Sequence, residues 1–150
     1  MSKVVKFSDS ATIRGELGAI WQAAIDVQSW PSWNPHYEQT GFDGPFEPGA
    51  TGWTKPRGAP RGAFTVTSVD PGRSYVTESP MPMGKMVIVN TYEPAGSDQV
   101  TVTRHVEVHG GFAPVFKRFF MKGMQRDIPG SIAALETEAH RRAAQATSHP

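Results

Sequence analysis

A chain of 150 residues and 16.3 kDa is long enough to enclose one sizeable core, and a single domain is expected over residues 1–142. Its 15 Lys and Arg stand against 14 Asp and Glu, a net charge of +1 that lacks the basic excess of a nucleic-acid binder. The cysteine count of 0 excludes a disulfide framework, a thiol nucleophile and a thiolate metal site.

The opening stretch MSKVVKFSDSATIRGELGAI has no apolar core of the signal-peptide kind. Val4 to Ile13 reads as extended, and Gly15 breaks it. From Glu16 to Asp26, Leu17, Ile20, Trp21, Ala24 and Ile25 recur at helical spacing, which predicts a short amphipathic helix. The prolines in Trp30-Pro31-Ser32-Trp33-Asn34-Pro35 allow at most one further tight turn. Six strands separated by turn signals follow: Tyr37–Phe42, Ala50–Thr54, Ala63–Val69, Ser74–Ser79, Lys85–Glu93 and Gln99–His109. The run Met86–Val89 is too short to span a bilayer, so no stable membrane insertion is expected and a soluble, cytoplasmic protein is. Gly110-Gly111 ends the strands. Pro114 then opens a long helix to about Arg142, kinked or interrupted at Pro129, and Ala143 to Pro150 reads as a frayed tail.

Ile20-Trp21 through Asp26, the phrase Trp30 to Pro35, the strand Val102-Thr103-Arg104-His105-Val106-Glu107, then Gly110 to Pro114 and Ile128 to Glu136 follow one another across nearly the whole chain. In that order they resemble the START-related polyketide cyclase/dehydrase (SRPBCC) superfamily. The resemblance implies an α+β helix-grip fold: seven curved antiparallel strands around the C-terminal helix, with two short helices between the first two strands. It also implies a pocket for an apolar or aromatic ligand. A fold of this kind hosts carriers, receptors and cyclases, so function has to come from the pocket.

Strand alternation places Val100, Val102, Arg104, Val106 and Val108 on one buried face. An unpaired guanidinium in that row is costly, so Arg104 should meet a ligand carbonyl or carboxylate, or an internal acid such as Glu78, unless a bulge turns it to solvent. The opposite face carries His105, Glu107 and His109. Residues i and i+4 on a strand stand about 13 Å apart, against Zn–N bonds of about 2.1 Å, so a solvated polar face is preferred to a metal site. No metal and no cofactor are expected.

Trp30, Trp33, Asn34, His36 and Tyr37 gather where the short helices meet the sheet, with Trp21 read as core. The Arg57 and Arg61 loop and the methionines Met81, Met83 and Met86 are candidates for a pocket mouth. Phe116, Phe119, Phe120 and Met124 of the long helix serve as core or lining, and an inward Gly123 leaves room for a ligand. Lys117, Arg118, Lys122 and Arg126 suit a membrane-surface helix, but the solvated back of a packed helix is preferred. The candidate ligand-binding set is therefore Trp33, Trp53, Met83, Met86, Asn90, Arg104, Phe116, Phe120 and Met124.

The leading expectation is a module that binds a small hydrophobic or aromatic, polyketide-like or lipid-like molecule, as monomer or homodimer. Whether it is an enzyme stays open. A cyclase, aromatase or dehydratase would use Arg104 to stabilise an enolate and His36 or Tyr92 to move a proton, with no covalent nucleophile. A protein-interaction module of the co-chaperone kind is the third reading.

Overall fold

The computed structural model describes residues 4–148. Strand β1 (Val4–Arg14) leads into α1 (Leu17–Ile25), a single 3₁₀ turn (Val27–Ser29) and the four-residue α2 (Trp30–Trp33). Strands β2 (Tyr37–Phe42), β3 (Thr51–Pro56), β4 (Gly62–Asp70), β5 (Ser74–Met81), β6 (Gly84–Pro94) and β7 (Gln99–Gly110) follow, then α3 (Ala113–Phe119) and α4 (Met121–Ser148). The strands form one seven-stranded sheet in the order β1-β7-β6-β5-β4-β3-β2, every pair antiparallel. It curls into a half-barrel around α4, the α+β helix-grip architecture expected from the sequence.

Local chemistry sets the boundaries. Gly15 has φ +145, a conformation only glycine adopts without strain, and its N–H bonds the Asp98 carbonyl at 3.0 Å, turning the chain from β1 into α1. The buried face of α1 is Ile20, Trp21, Ala23 and Ala24, the periodic stripe read from the sequence. Across β2 and β3 the Trp53 indole lies directly over Gly41, where a Cβ would collide with it.

Two helix expectations are corrected. Pro129 does not interrupt α4; it sits on an exposed part of a continuous helix. The break comes instead at Phe120 (φ −123, ψ −27), between α3 and α4. The helix also continues past Arg142 to Ser148, so 143–148 are helical; 149–150 lie outside the described residues.

The main core joins Phe7, Ile13, Ile20, Trp21, the β7 valines Val100, Val102, Val106 and Val108, and Phe116, Ile128, Ile132 and Leu135. A smaller cluster of Val27, Phe64 and Val66 sits under the short helices. A buried polar latch ties α4 to that end. Glu138, 3% exposed, accepts from Arg142 Nε at 2.7 Å and from Arg141 at 2.8 and 2.7 Å. Arg142 Nη2 also donates to Asp26 at 2.9 Å and Ser29 Oγ at 3.0 Å. No described helix is long and apolar enough to cross a membrane.

Candidate functional site

Between the concave sheet and α4 lies a cavity of about 110 Å³. Register explains its polar centre. Asn90 of β6 pairs with Arg104 of β7, and Tyr75 of β5 pairs with Asn90, so one inward row across three strands carries Tyr75, Asn90 and Arg104. Tyr92 lies two residues along β6 from Asn90, on the same face. Alternation on α4 brings Met124, Asp127, Ser131 and Leu135 to the opposite wall.

Arg104 keeps its place in the valine row. Its Nε donates to Asn90 Oδ1 at 3.0 Å, and Asn90 is itself 3% exposed. Glu78 is not its partner: its neighbours Thr77 and Ser79 line the cavity, so Glu78 points out and meets Lys85 Nζ at 3.0 Å. No carboxylate pairs with Arg104 among the described residues, and no buried side-chain nitrogen or oxygen there lacks a partner.

Phenols surround this cation. Burial raises the pKa of Tyr37 and Tyr75 and pushes Tyr92 well above the usual value of 10.0, overriding the opposing pull of Arg104. Burial keeps both Tyr75 and Tyr92 protonated, and in the hydrogen bond between them one hydroxyl donates and the other accepts. Tyr92 is therefore poorly suited to act as a base.

His36 stands at the rim, its Nδ1 3.7 Å from Asp127 Oδ2. Burial lowers its pKa below the ordinary 6.5; Asp127 raises it and Arg104 lowers it further. The imidazole is neutral at pH 7. Its backbone N–H is fixed by Asn34 Oδ1 at 3.0 Å. Trp30 stacks between Tyr37 and Phe64, and its Nε1 donates to the Ala24 carbonyl at 3.1 Å. Trp33 Nε1 donates to Ser29 Oγ at 2.9 Å, the hydroxyl that also receives Arg142.

Of the candidate site residues singled out in the sequence, Trp30, Trp33, Asn34, His36, Tyr37, Asn90, Tyr92, Arg104 and Met124 line this cavity. The others lie elsewhere. Trp53 alternates with the lining residue Thr54, so it faces the other side of β3, under the Arg61 guanidinium at 3.8 Å. Met86 shares the inward phase of β6 but packs into the core, and Phe116 stacks on Phe7 with ring centres 6.1 Å apart. Met83 occupies the β5–β6 turn with φ 59 and is 76% exposed. The break before α4 leaves Phe120 52% exposed. Arg57 is committed to the Pro35 carbonyl at 2.8 Å. Gly123 is not among the residues that line the cavity, and a Cβ on it would meet only Arg126, at 3.9 Å.

Sequence reading passed over Tyr75 and Ser131. Register opposite Asn90 for the first, and helical spacing from Met124 for the second, were the available signals. On the outer face Glu107 bridges His105 Nε2 at 2.9 Å and His109 Nε2 at 3.0 Å. These hydrogen bonds, His105 first, hold its carboxyl below the usual range. No cluster able to hold a metal ion occurs among the described residues.

The sequence profile of a family described as polyketide cyclase / dehydrase and lipid transport matches residues 4–140. No curated protein matches the sequence. Among solved structures, the ZhuI aromatase/cyclase from Streptomyces sp. R1128 superposes with a TM-score of 0.77 at 12% identity, over 94% of this chain and 96% of that one. Ara h 8.0201 gives 0.74 at 16% identity, over 93% and 99%. Norcoclaurine synthase from Thalictrum flavum, in complex with dopamine and hydroxybenzaldehyde, gives 0.69 at 13% identity, over 96% and 88%. At these identities the likeness establishes the shared fold.

Proposed function

Since the chain belongs to the polyketide cyclase/dehydrase and lipid transport family, within the SRPBCC helix-grip superfamily, we propose that it binds a compact aromatic molecule in this cavity and orients it through an oxygen set against Arg104. The observation that carries the reading is the guanidinium itself. It is held by Asn90 at 3.0 Å in an otherwise apolar row of β7, with neutral phenols around it and no carboxylate upon it among the described residues. A phenolate, carboxylate or polarised carbonyl would give the guanidinium a charged or strongly accepting partner, which the neutral Asn90 amide is not. Size narrows the class. A cavity of about 110 Å³ is smaller than the roughly 150 Å³ hollow that admits benzene, so its enclosed part takes a single ring at most. A longer molecule has to extend past the rim at His36 and Asp127. Apolar burial then supplies most of the affinity, at about 25 cal/mol per Å² before association costs.

Native mass spectrometry of the purified protein, followed by titration with single-ring phenols, benzoates and matched hydrocarbons, tests this. Oxygenated rings should bind more tightly than hydrocarbons of equal size, and Arg104→Ala should erase the difference. Equal affinity for both, or no binding of either, refutes the reading.

One observation favours a catalytic version. A neutral His36 beside Asp127 shares the cavity with Arg104. Such a pair suits removal of a proton from a carbon next to a carbonyl: imidazole takes the proton, and the electron pair moves to form an enolate whose oxygen rests on Arg104. The aromatase/cyclase and the norcoclaurine synthase are precedents for carbon chemistry on this fold. Deuterium exchange at the α-carbon of a bound aryl ketone distinguishes the two versions, since a binder alone leaves that hydrogen in place.

A further inference from the structure

The large exposed apolar side chains gather around the junction of α3 and α4 and the β5–β6 turn. Val115 is 42% exposed, Phe119 68%, Phe120 52% and Met83 76%, and Val4 at 36% is the one other large hydrophobic so exposed among the described residues. They belong together. The Phe120 ring lies 6.1 Å from those of Phe112 and Phe116, and Met83 packs beside Gly111, whose N–H bonds the Met83 carbonyl at 3.0 Å. The chain break at Phe120 turns this cluster outward instead of folding it under α4.

Charge identifies the occupant. Between Glu107 and Asp127 the sequence holds Lys117, Arg118, Lys122 and Arg126 and no acid. All four side chains belong to exposed residues, and none forms an ion pair among the described residues; Arg118 lies over the Phe119 ring at 5.6 Å. In a chain of net charge +1 this is a concentrated cationic end. Exposed aromatic rings ringed by cations match the headgroup layer of an anionic bilayer. A second copy of the chain would bring the same cations face to face, which disfavours self-pairing through this patch.

We propose that the elbow between α3 and α4, with the β5–β6 turn, docks the protein on anionic membrane surfaces, seating Phe119 and Phe120 at headgroup depth. Met124 and Asp127, one and two turns beyond Phe120, line the cavity, so docking places its rim beside the lipid. The surface stands independently of what the cavity holds.

Co-sedimentation with phosphatidylcholine vesicles, with and without phosphatidylserine, tests it on the whole protein. Binding is expected only with phosphatidylserine present and should weaken as salt is raised. Phe119→Ser/Phe120→Ser should abolish it. Lys122→Gln/Arg126→Gln should weaken it roughly 30-fold, from the usual contribution of two surface cations. Both variants change exposed side chains, and thermal unfolding should match the parent. The proposal is overturned if the parent stays in the supernatant with phosphatidylserine vesicles, or if the Phe variant sediments as the parent does. It is equally overturned if that variant dissolves a dimer in sedimentation velocity while vesicles capture neither form.

Discussion

Glu138→Gln removes one negative charge from the most enclosed ion pair of the fold and keeps the shape of the side chain. Glu138 is 3% exposed, and Arg142 Nε reaches it at 2.7 Å. A hydrogen bond to a charged partner contributes about 1.5–3 kcal/mol. The bonds from Arg141 add little, because that side chain is 53% exposed and water screens it. A loss of about 1.5–3 kcal/mol in a domain of this size lowers Tm by roughly 3–12 °C at neutral pH. The pH dependence is specific. Hydrogen bonds from Arg141 and Arg142 hold the Glu138 pKa below its ordinary 4.5, so the stabilisation is fully present above that pH and is lost as the pH falls through the lower, folded value. Parent and variant should therefore converge on acidification. The change also reaches the cavity, since Arg142 and Trp33 share Ser29 Oγ. Ligand affinity should drop modestly together with stability. Thermal melts at neutral pH and well below 4.5 provide the measurement. A neutral-pH Tm equal to that of the parent, or a gap that persists unchanged in acid, refutes the reasoning.

The His36 imidazole should titrate below 6.5 by NMR; Asp127→Asn should lower its pKa further and Arg104→Ala should raise it. With its folded pKa depressed, His36 costs stability as pH falls below 6.5, a loss that His36→Asn should remove. Tyr92→Phe takes away a hydroxyl shared with Tyr75 in a site 3% exposed, and chemical denaturation should register a loss of about 1–2 kcal/mol. Ala24→Leu projects additional carbon into the cavity from α1; calorimetry should show ligand binding lost while the melt stays near that of the parent.

Periodicity carried the architecture because each strand and the first helix bury one face, and burial writes itself into alternation. The β7 row of valines around Arg104 is the clearest instance: four of those side chains are at most 2% exposed. The inward phase of β6 was less legible, because Val87, Ile88 and Val89 are apolar on both faces; only the register with β7 settles that Asn90 and Tyr92 look inward. The Phe120 break escaped for a different reason. Its flanks continue a helical apolar pattern, and a proline nine residues on drew attention to the wrong place. The latch at Glu138 was invisible because Asp26 and Ser29, which Arg142 also meets, lie more than a hundred residues away in the chain, and one sequence holds no record of such a meeting. Trp53 misled because an aromatic on a strand is equally at home on either face. Here it covers Gly41.

The pairing of β1 with β7 has a consequence for how the chain reaches this state. Six strands close through successive local hairpins, but β1 must wait for a partner far along the chain: Thr12 meets Thr101 at 2.8 Å across a separation of 89 residues. Closing so large a loop costs entropy before any contact repays it, so β1 should join after the hairpin ladder has formed. Substituting Ala11 by glycine should then speed unfolding and leave refolding nearly unchanged, while Val76→Ala on the β5–β6 ladder should slow refolding. A slowed refolding limb for the Ala11 variant would reverse that order. Because α4 also packs on β1, two elements far apart in the chain depend on each other, and the cavity has no enclosing wall until both are in place.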